Sequence, residues 1–300
     1  MSQPARAGAR PSEQFVALSA LLLGAAAVGA SAIFVRLSEL GAIPSAFYRP
    51  FLAIPAVWLW LRLVPAPAAK RGPEDLREVG RLLFAGSLFA GDLAFWHLSL
   101  HHTTVANATL FANAAPVFVV VAERFLFGRR IGRSFLGGLA MALAGAACLA
   151  GGSLAIDPAN LVGDGFGAVT ALFLAGYLIA VERLRHEFSA AAIMLWTSIG
   201  TAAVLLPVAW ATGEPMVAET AYGWTILLAL AWISHAAGQG LVVFALAHLP
   251  AGLAALGLLT EPVAAALLAL AILGEPITAW QAAGGVIILW GIFIARKGYA

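Results

Sequence analysis

The sequence predicts an all-α membrane protein of ten transmembrane helices, arranged as two inverted five-helix repeats. Three observations carry that prediction. Of the 300 residues, 62% are hydrophobic and 11% charged, too little charge to cover a soluble domain of this size. The apolar residues fall in runs of about 20, the length that crosses a hydrocarbon core as helix. The second part of the chain repeats the first at a fixed offset. Lipid admits only helices and closed barrels, and the ten-residue alternating segments of a barrel are not seen.

Taken in order, the spans read as 15–35, 45–64, 79–99, 103–122, 131–151, 162–181, 191–211, 221–246, 251–273 and 277–295. Turn chemistry marks their ends: Pro44, Pro65, Pro67, Gly72-Pro73, Asp157-Pro158, Gly213 with Pro215, and Gly274-Glu275-Pro276. The first run follows Arg6 and Arg10 and holds Ala30-Ser31-Ala32, as a cleavable signal would. It is longer than a signal core of roughly 7–15 residues, so it reads as a retained span.

Charge sets the orientation. With the N-terminus placed in the cytoplasm, that side carries Arg6, Arg10, Arg62, Lys70, Arg71, Arg77, Arg81, Arg124, Arg129, Arg130, Arg133, Arg183, Arg185, Arg296 and Lys297, fifteen of the 17 basic residues. The opposite loops carry Arg36 alone, with Glu39, Asp157, Glu214 and Glu219. Positive charge stays inside, so both termini are expected to be cytoplasmic. The basic balance therefore reports topology, and no nucleic-acid partner is expected. The single cysteine, Cys148, lies in an apolar run and reads as a packed small residue. No Cys/His cluster suggests a metal, and no cofactor signature appears.

At an offset of 146, His102 faces His248, Pro116-Val117 faces Pro262-Val263, Gly128 faces Gly274, Ile131 faces Ile277, Gly138 faces Gly284 and Gly145 faces Gly291. The halves divide as 1–152 and 153–300. Five spans is an odd number, so the second half enters the membrane from the other side. Inverted repeats of this kind belong to secondary transporters, with a substrate site near the midplane between halves.

A charged side chain deep in lipid is costly unless it faces protein or water, so the intramembrane polar residues are the candidate site. Asp92 and Trp96 share a face of the third span, with His97 beside them. Asp92 would draw a substrate ammonium and Trp96 stack on a ring; the plainer alternative is a helix-to-helix hydrogen bond. Trp232, His235 and Gln239 form a stripe on the eighth span, and Thr170, Phe173 and Tyr177 one on the sixth. Asn107 with Phe111 marks the fourth span, where bonding to a neighbouring helix explains the Asn equally well. Tyr48 and Arg49 open the second span; Arg49 would clamp a carboxylate or snorkel to the outer interface. Glu261-Pro262 reads as a coupling or gating element, or as a structural hinge. Spans five and ten carry small residues, including Ala142, Ala146 and Ala150, and read as scaffold or homodimer helices.

The length, Phe47-Tyr48-Arg49-Pro50, Ala115-Pro116 running into Glu123-Arg124, and Glu261-Pro262 running into Leu273-Gly274-Glu275-Pro276 resemble the drug/metabolite transporter superfamily of EamA type. The chain departs from the pattern where the first half has Arg129-Arg130 in place of Glu275-Pro276. Within that superfamily it looks most like bacterial aromatic amino acid exporters of the YddG type. The resemblance implies export of aromatic amino acids across a bacterial inner membrane, with another small metabolite or a lipophilic cation as the alternative. An intramembrane enzyme is not favoured: neither Gly-x-Ser-x-Gly nor His-Glu-x-x-His is present, and no phosphate-binding loop suggests ATP drive.

Overall fold

A computed structural model describes residues 11–65, 70–150 and 158–298. Arg6, Arg10, Pro67 and Asp157 lie outside the described residues. The described chain is helical, and among those residues nine stretches are long and apolar enough to cross a membrane.

The first span is α1 (Pro11–Gly29) continued by α2 (Ser31–Leu37). The predicted second span, 45–64, is not one helix but two, α3 (Ala42–Phe51) and α4 (Ile54–Leu63). Pro50 and Pro55 have no N–H to donate, so the ladder cannot run through Leu52-Ala53. The carbonyl of Leu52 instead accepts the indole N–H of Trp232 at 3.2 Å. The third span, α5 (Leu76–His102), starts on Asp75, whose side chain accepts from the backbone N–H of Glu78.

The fourth span is also broken, into α6 (Val105–Ala112) and α7 (Ala115–Phe125), because Pro116 cannot bond back to Ala112. α8 (Arg133–Ala150), α9 (Leu161–Leu184) and α10 (Ala190–Ala211) are single helices. The eighth span starts as α11 (Ala221–Ala229), widens into a π-helical stretch over Leu230–Gln239 and resumes as α12 (Gly240–Ala245). The ninth, α13 (Ala251–Leu258) and α14 (Thr260–Leu268), breaks beside Pro262 as the fourth does beside Pro116, then widens over Ala269–Leu273. The last is α15 (Ala279–Ala295), opened by a Thr278/Gln281 capping box.

Packing brings distant spans together. α8 lies on α15, α5 on α9, α10 on α5 and on α3, α1 on the π-helical stretch and on α14, α3 on that stretch, α6 on α9, and α7 on α13. The α8–α15 contact is backbone against backbone. A Cβ on Gly145 would stand 2.7 Å from the amide nitrogen of Ile288, and one on Gly291 2.7 Å from the carbonyl oxygen of Gly138. The small-residue face expected for association is thus used within the chain.

The basic end of the bundle is laced together. Lys70 donates to the carbonyls of Arg185 and His186 at 2.6 and 2.8 Å, and Arg81 grips Glu187 bidentately at 2.9 Å. Those bonds hold the Glu187 carboxyl below its usual range. Arg185, buried, donates to Val243 and Phe188 carbonyls, and burial pushes its guanidinium down to about 10.

Candidate functional site

Six segments, α3, α5, α9, α10, the π-helical stretch and α14, contribute to one aromatic and charged cluster. Arg49 of α3 is only 8% exposed, and its guanidinium lies 5.8 Å from the ring centre of Phe89 on α5. Phe89 in turn packs 4.9 Å from Tyr177 of α9 and 5.8 Å from His235 of the π-helical stretch. Gln239 donates to the Tyr177 hydroxyl at 3.2 Å. The His235 ring nitrogen Nε2 and Ser198 Oγ are 2.9 Å apart.

Around Arg49 stand the charges. Glu261 and Asp92 are the acidic side chains near enough for their charge to act on its guanidinium. Asp92 lies one turn beyond Phe89 on α5, and both carboxylate residues are half-buried. None of the three belongs to a direct ion pair within 4.0 Å among the described residues. Arg49 Nε, which is buried, makes no hydrogen bond. Arg49 is thus a buried guanidinium that keeps an unused donor. The close approach of α1 frames the cluster: a Cβ on Gly29 would lie 2.6 Å from the Glu261 carbonyl oxygen.

The other sequence candidates divide. His97 is buried and its Nδ1 meets the Leu93 carbonyl at 2.6 Å, with Trp96 edge-on at 5.1 Å. Asn107 lies elsewhere: at the start of α6 it donates to Asp164 of α9 at 3.1 Å, the helix-to-helix role. Phe111, 36% exposed, is turned outward. Trp232 is 52% exposed and holds the broken second span, so it does not join His235 and Gln239. Tyr48 donates to the Met216 carbonyl at 2.6 Å and packs edge-on against Trp224. Pro262 lines a cavity of about 640 Å³ with Arg36, Thr104, Asn113 and Gln281, at the end opposite the basic one.

Two residues of the cluster escape sequence reasoning. Phe89 carries no polar atom, although its spacing from Asp92 puts it on the same face. Ser198 becomes visible only through its bond to His235. Among the described residues no group of three or more His, Cys, Asp or Glu residues could hold a metal ion.

With the geometry in place, the comparisons become informative. The profile of the EamA-like transporter family matches residues 15–151 and 161–296. The pseudopaline exporter CntI of Pseudomonas aeruginosa, in strains UCBPP-PA14 and PAO1, is 24% identical over 247 residues, which is 81% of this chain and 82% of that protein. A solved crystal structure superposes with a TM-score of 0.79, at 20% identity, over 96% of this chain and 98% of that one. At that identity it speaks for the fold alone. The curated relatives matched are named for pseudopaline export, not for aromatic amino acids.

Proposed function

The chain belongs to the EamA-like transporter family, and from that premise we propose that it exports a small zwitterionic metabolite of amino-acid type by alternating access. Arg49 carries the reading. It supplies a fixed cation with an unused donor for a substrate carboxylate. Asp92 and Glu261 supply the counter-charge for an ammonium, and Phe89 and Tyr177 a ring-stacking wall. Aromatic amino acids are the narrowest substrate class this lining suits. That the relatives CntI are named for exporting a metabolite supports export in the broader sense.

The proposed organisation is ten spans in two halves, 1–152 and 153–300, with α3 and α4 together making the second span. Helix pairing supports it. If each span of one half is exchanged for its counterpart, α5 with α9 becomes the eighth span with α1, and α6 with α9 becomes α13 with α1. The α8–α15 pair maps onto itself. Each of these contacts is present. The basic end would be cytoplasmic, with both termini there, in a bacterial inner membrane. A homodimer would have to use the outward faces of the fifth and tenth spans, such as Leu136, Val286 and Trp290, since their glycine faces already meet.

One observation favours a second substrate class. Two carboxylates outnumber the one guanidinium in the cluster, which suits a lipophilic cation. Liposomes containing the purified protein decide between them. Labelled Phe, Tyr or Trp should move down a gradient and be outcompeted by other amino acids but not by an aromatic amine. Flux of the amine alone would replace the leading reading with the cation one. No flux of either would remove both.

A further inference from the structure

We propose that two ion pairs of reversed polarity are the paired gates of the transport cycle: Arg129 with Glu182 at the cytoplasmic end, and Arg36 with Glu275 at the outer end. The inference rests on the alternating-access reading above.

The register of the internal repeat places them. At the offset of 146, Arg36 corresponds to Glu182 and Arg129 to Glu275. The two pairs therefore occupy equivalent positions at opposite ends of the molecule, with acid and base exchanged. The loop glutamate missing from the first half is thus compensated, because its partner position has changed sign as well. Arg129 Nη2 lies 3.0 Å from Glu182 Oε1, and Arg36 Nη1 lies 2.7 Å from Glu275 Oε1. Each pair joins a residue of the first half to one of the second. Rocking one half against the other must stretch one pair or the other.

Their surroundings differ, and the difference identifies which end is shut. The Glu182 side chain is 4% exposed. Arg129 also meets Glu123, itself 1% exposed, at 2.7 Å, and Glu123 accepts the backbone N–H of Gly252 at the start of α13. The cytoplasmic latch thus ties together the fourth, sixth and ninth spans, and with both acids buried and Arg129 34% exposed it is screened less by water than the outer pair. The outer pair is 57% and 52% exposed, open to water and salt, where such pairs hold weakly. Arg36 also stands at the rim of the 640 Å³ cavity. The conformer is locked inside and lightly held outside. In the opposite conformer the repeat exchanges these roles: the Arg36–Glu275 pair becomes the buried one and the Arg129 cluster opens.

Distance measurements by double electron–electron resonance on the full chain in lipid nanodiscs test this. In a Cys148→Ala background, one label pair sits on exposed Phe125 and His248 at the cytoplasmic end, another on exposed His102 and Tyr222 at the outer end, each pair taking one residue from each half. Arg129→Gln should add a longer-distance population at the cytoplasmic pair and a shorter one at the outer pair. Arg36→Gln should shift both the other way. Arg129→Lys, and the exchange Arg36→Glu with Glu275→Arg, should restore the parent distributions. Unchanged distances in both Gln variants, or shifts in the same direction, would overturn the gates. Should Arg129→Gln not fold, the exposed Arg36 and Glu275 variants decide alone. Distances that shift in protein moving no amino acid support the gates and remove only the substrate assignment. Flux with static distances removes the gates and leaves transport standing.

Discussion

Substitution of Arg49 by Gln tests the substrate assignment most sharply. The change keeps a polar side chain in the same pocket but removes the charge. Arg49 is 8% exposed and its Nε has no partner, so its donors are available to a ligand in a site with little competing water. Hydrogen bonds to charged groups contribute about 1.5–3 kcal/mol, and each 1.4 kcal/mol is tenfold in affinity. The KM for phenylalanine should therefore rise by roughly 10- to 150-fold. The corresponding amine, phenethylamine, lacks the carboxylate. Its KM should stay constant or fall, because the guanidinium that repelled its ammonium is gone while Asp92 and Glu261 remain. Initial-rate flux into liposomes, with size-exclusion chromatography to show folded protein, measures both. Arg49→Lys keeps the charge and should recover part of the loss. If Gln raises the two KM values equally, or neither, Arg49 does not read a carboxylate and the binding argument fails.

Other expectations follow from particular contacts. Gly145→Ala places a methyl group 2.7 Å from the Ile288 amide nitrogen; overpacking of about 1–3 kcal/mol should lower the thermal midpoint in detergent, while Gly137→Ala, where nothing lies within 4 Å, should not lower it and should raise it slightly through helix propensity. Trp232→Phe keeps the ring but strands the Leu52 carbonyl, so it should cost about 1 kcal/mol, read as a lower midpoint with the KM preserved. Glu39 bonds the Thr220 hydroxyl and the amides of Glu219 and Thr220, and its carboxyl is held below the usual range chiefly by that hydroxyl. The clasp is complete above the ordinary carboxylate pKa and is lost as pH falls through the lowered one. The protection factors of the 219–223 amides, corrected for the intrinsic pH dependence of exchange, should fall in acid, and Glu39→Gln should abolish that fall.

The sequence disclosed an all-helical membrane chain and several polar residues that the fold buries, and the reasons it stopped there are physical. Lipid imposes long apolar runs, so nearly every span was readable. The second span was not read as broken, because hydropathy is blind to what Pro50 and Pro55 do to a hydrogen-bond ladder. His235, Gln239, Tyr177 and Asp92 were legible because polar side chains in lipid must turn inward. Trp232 was misplaced because the π-helical stretch widens the turn, so a 3.6-residue period no longer predicts its direction. Asn107 was ambiguous because its partner, Asp164, is 57 positions away. Nothing in the local pattern of either residue announces that pairing.

The glycine contact between α8 and α15 has a mechanical consequence. Where two backbones touch with no side chain between them, there is no rotamer to change and no gap to close. That line of contact cannot slide without opening a void or driving atoms together. It can only roll. In the rocking motion proposed above, the seam near Gly138, Gly145, Gly284 and Gly291 is therefore the natural axle, and the separation across it should stay constant while everything distant from it moves.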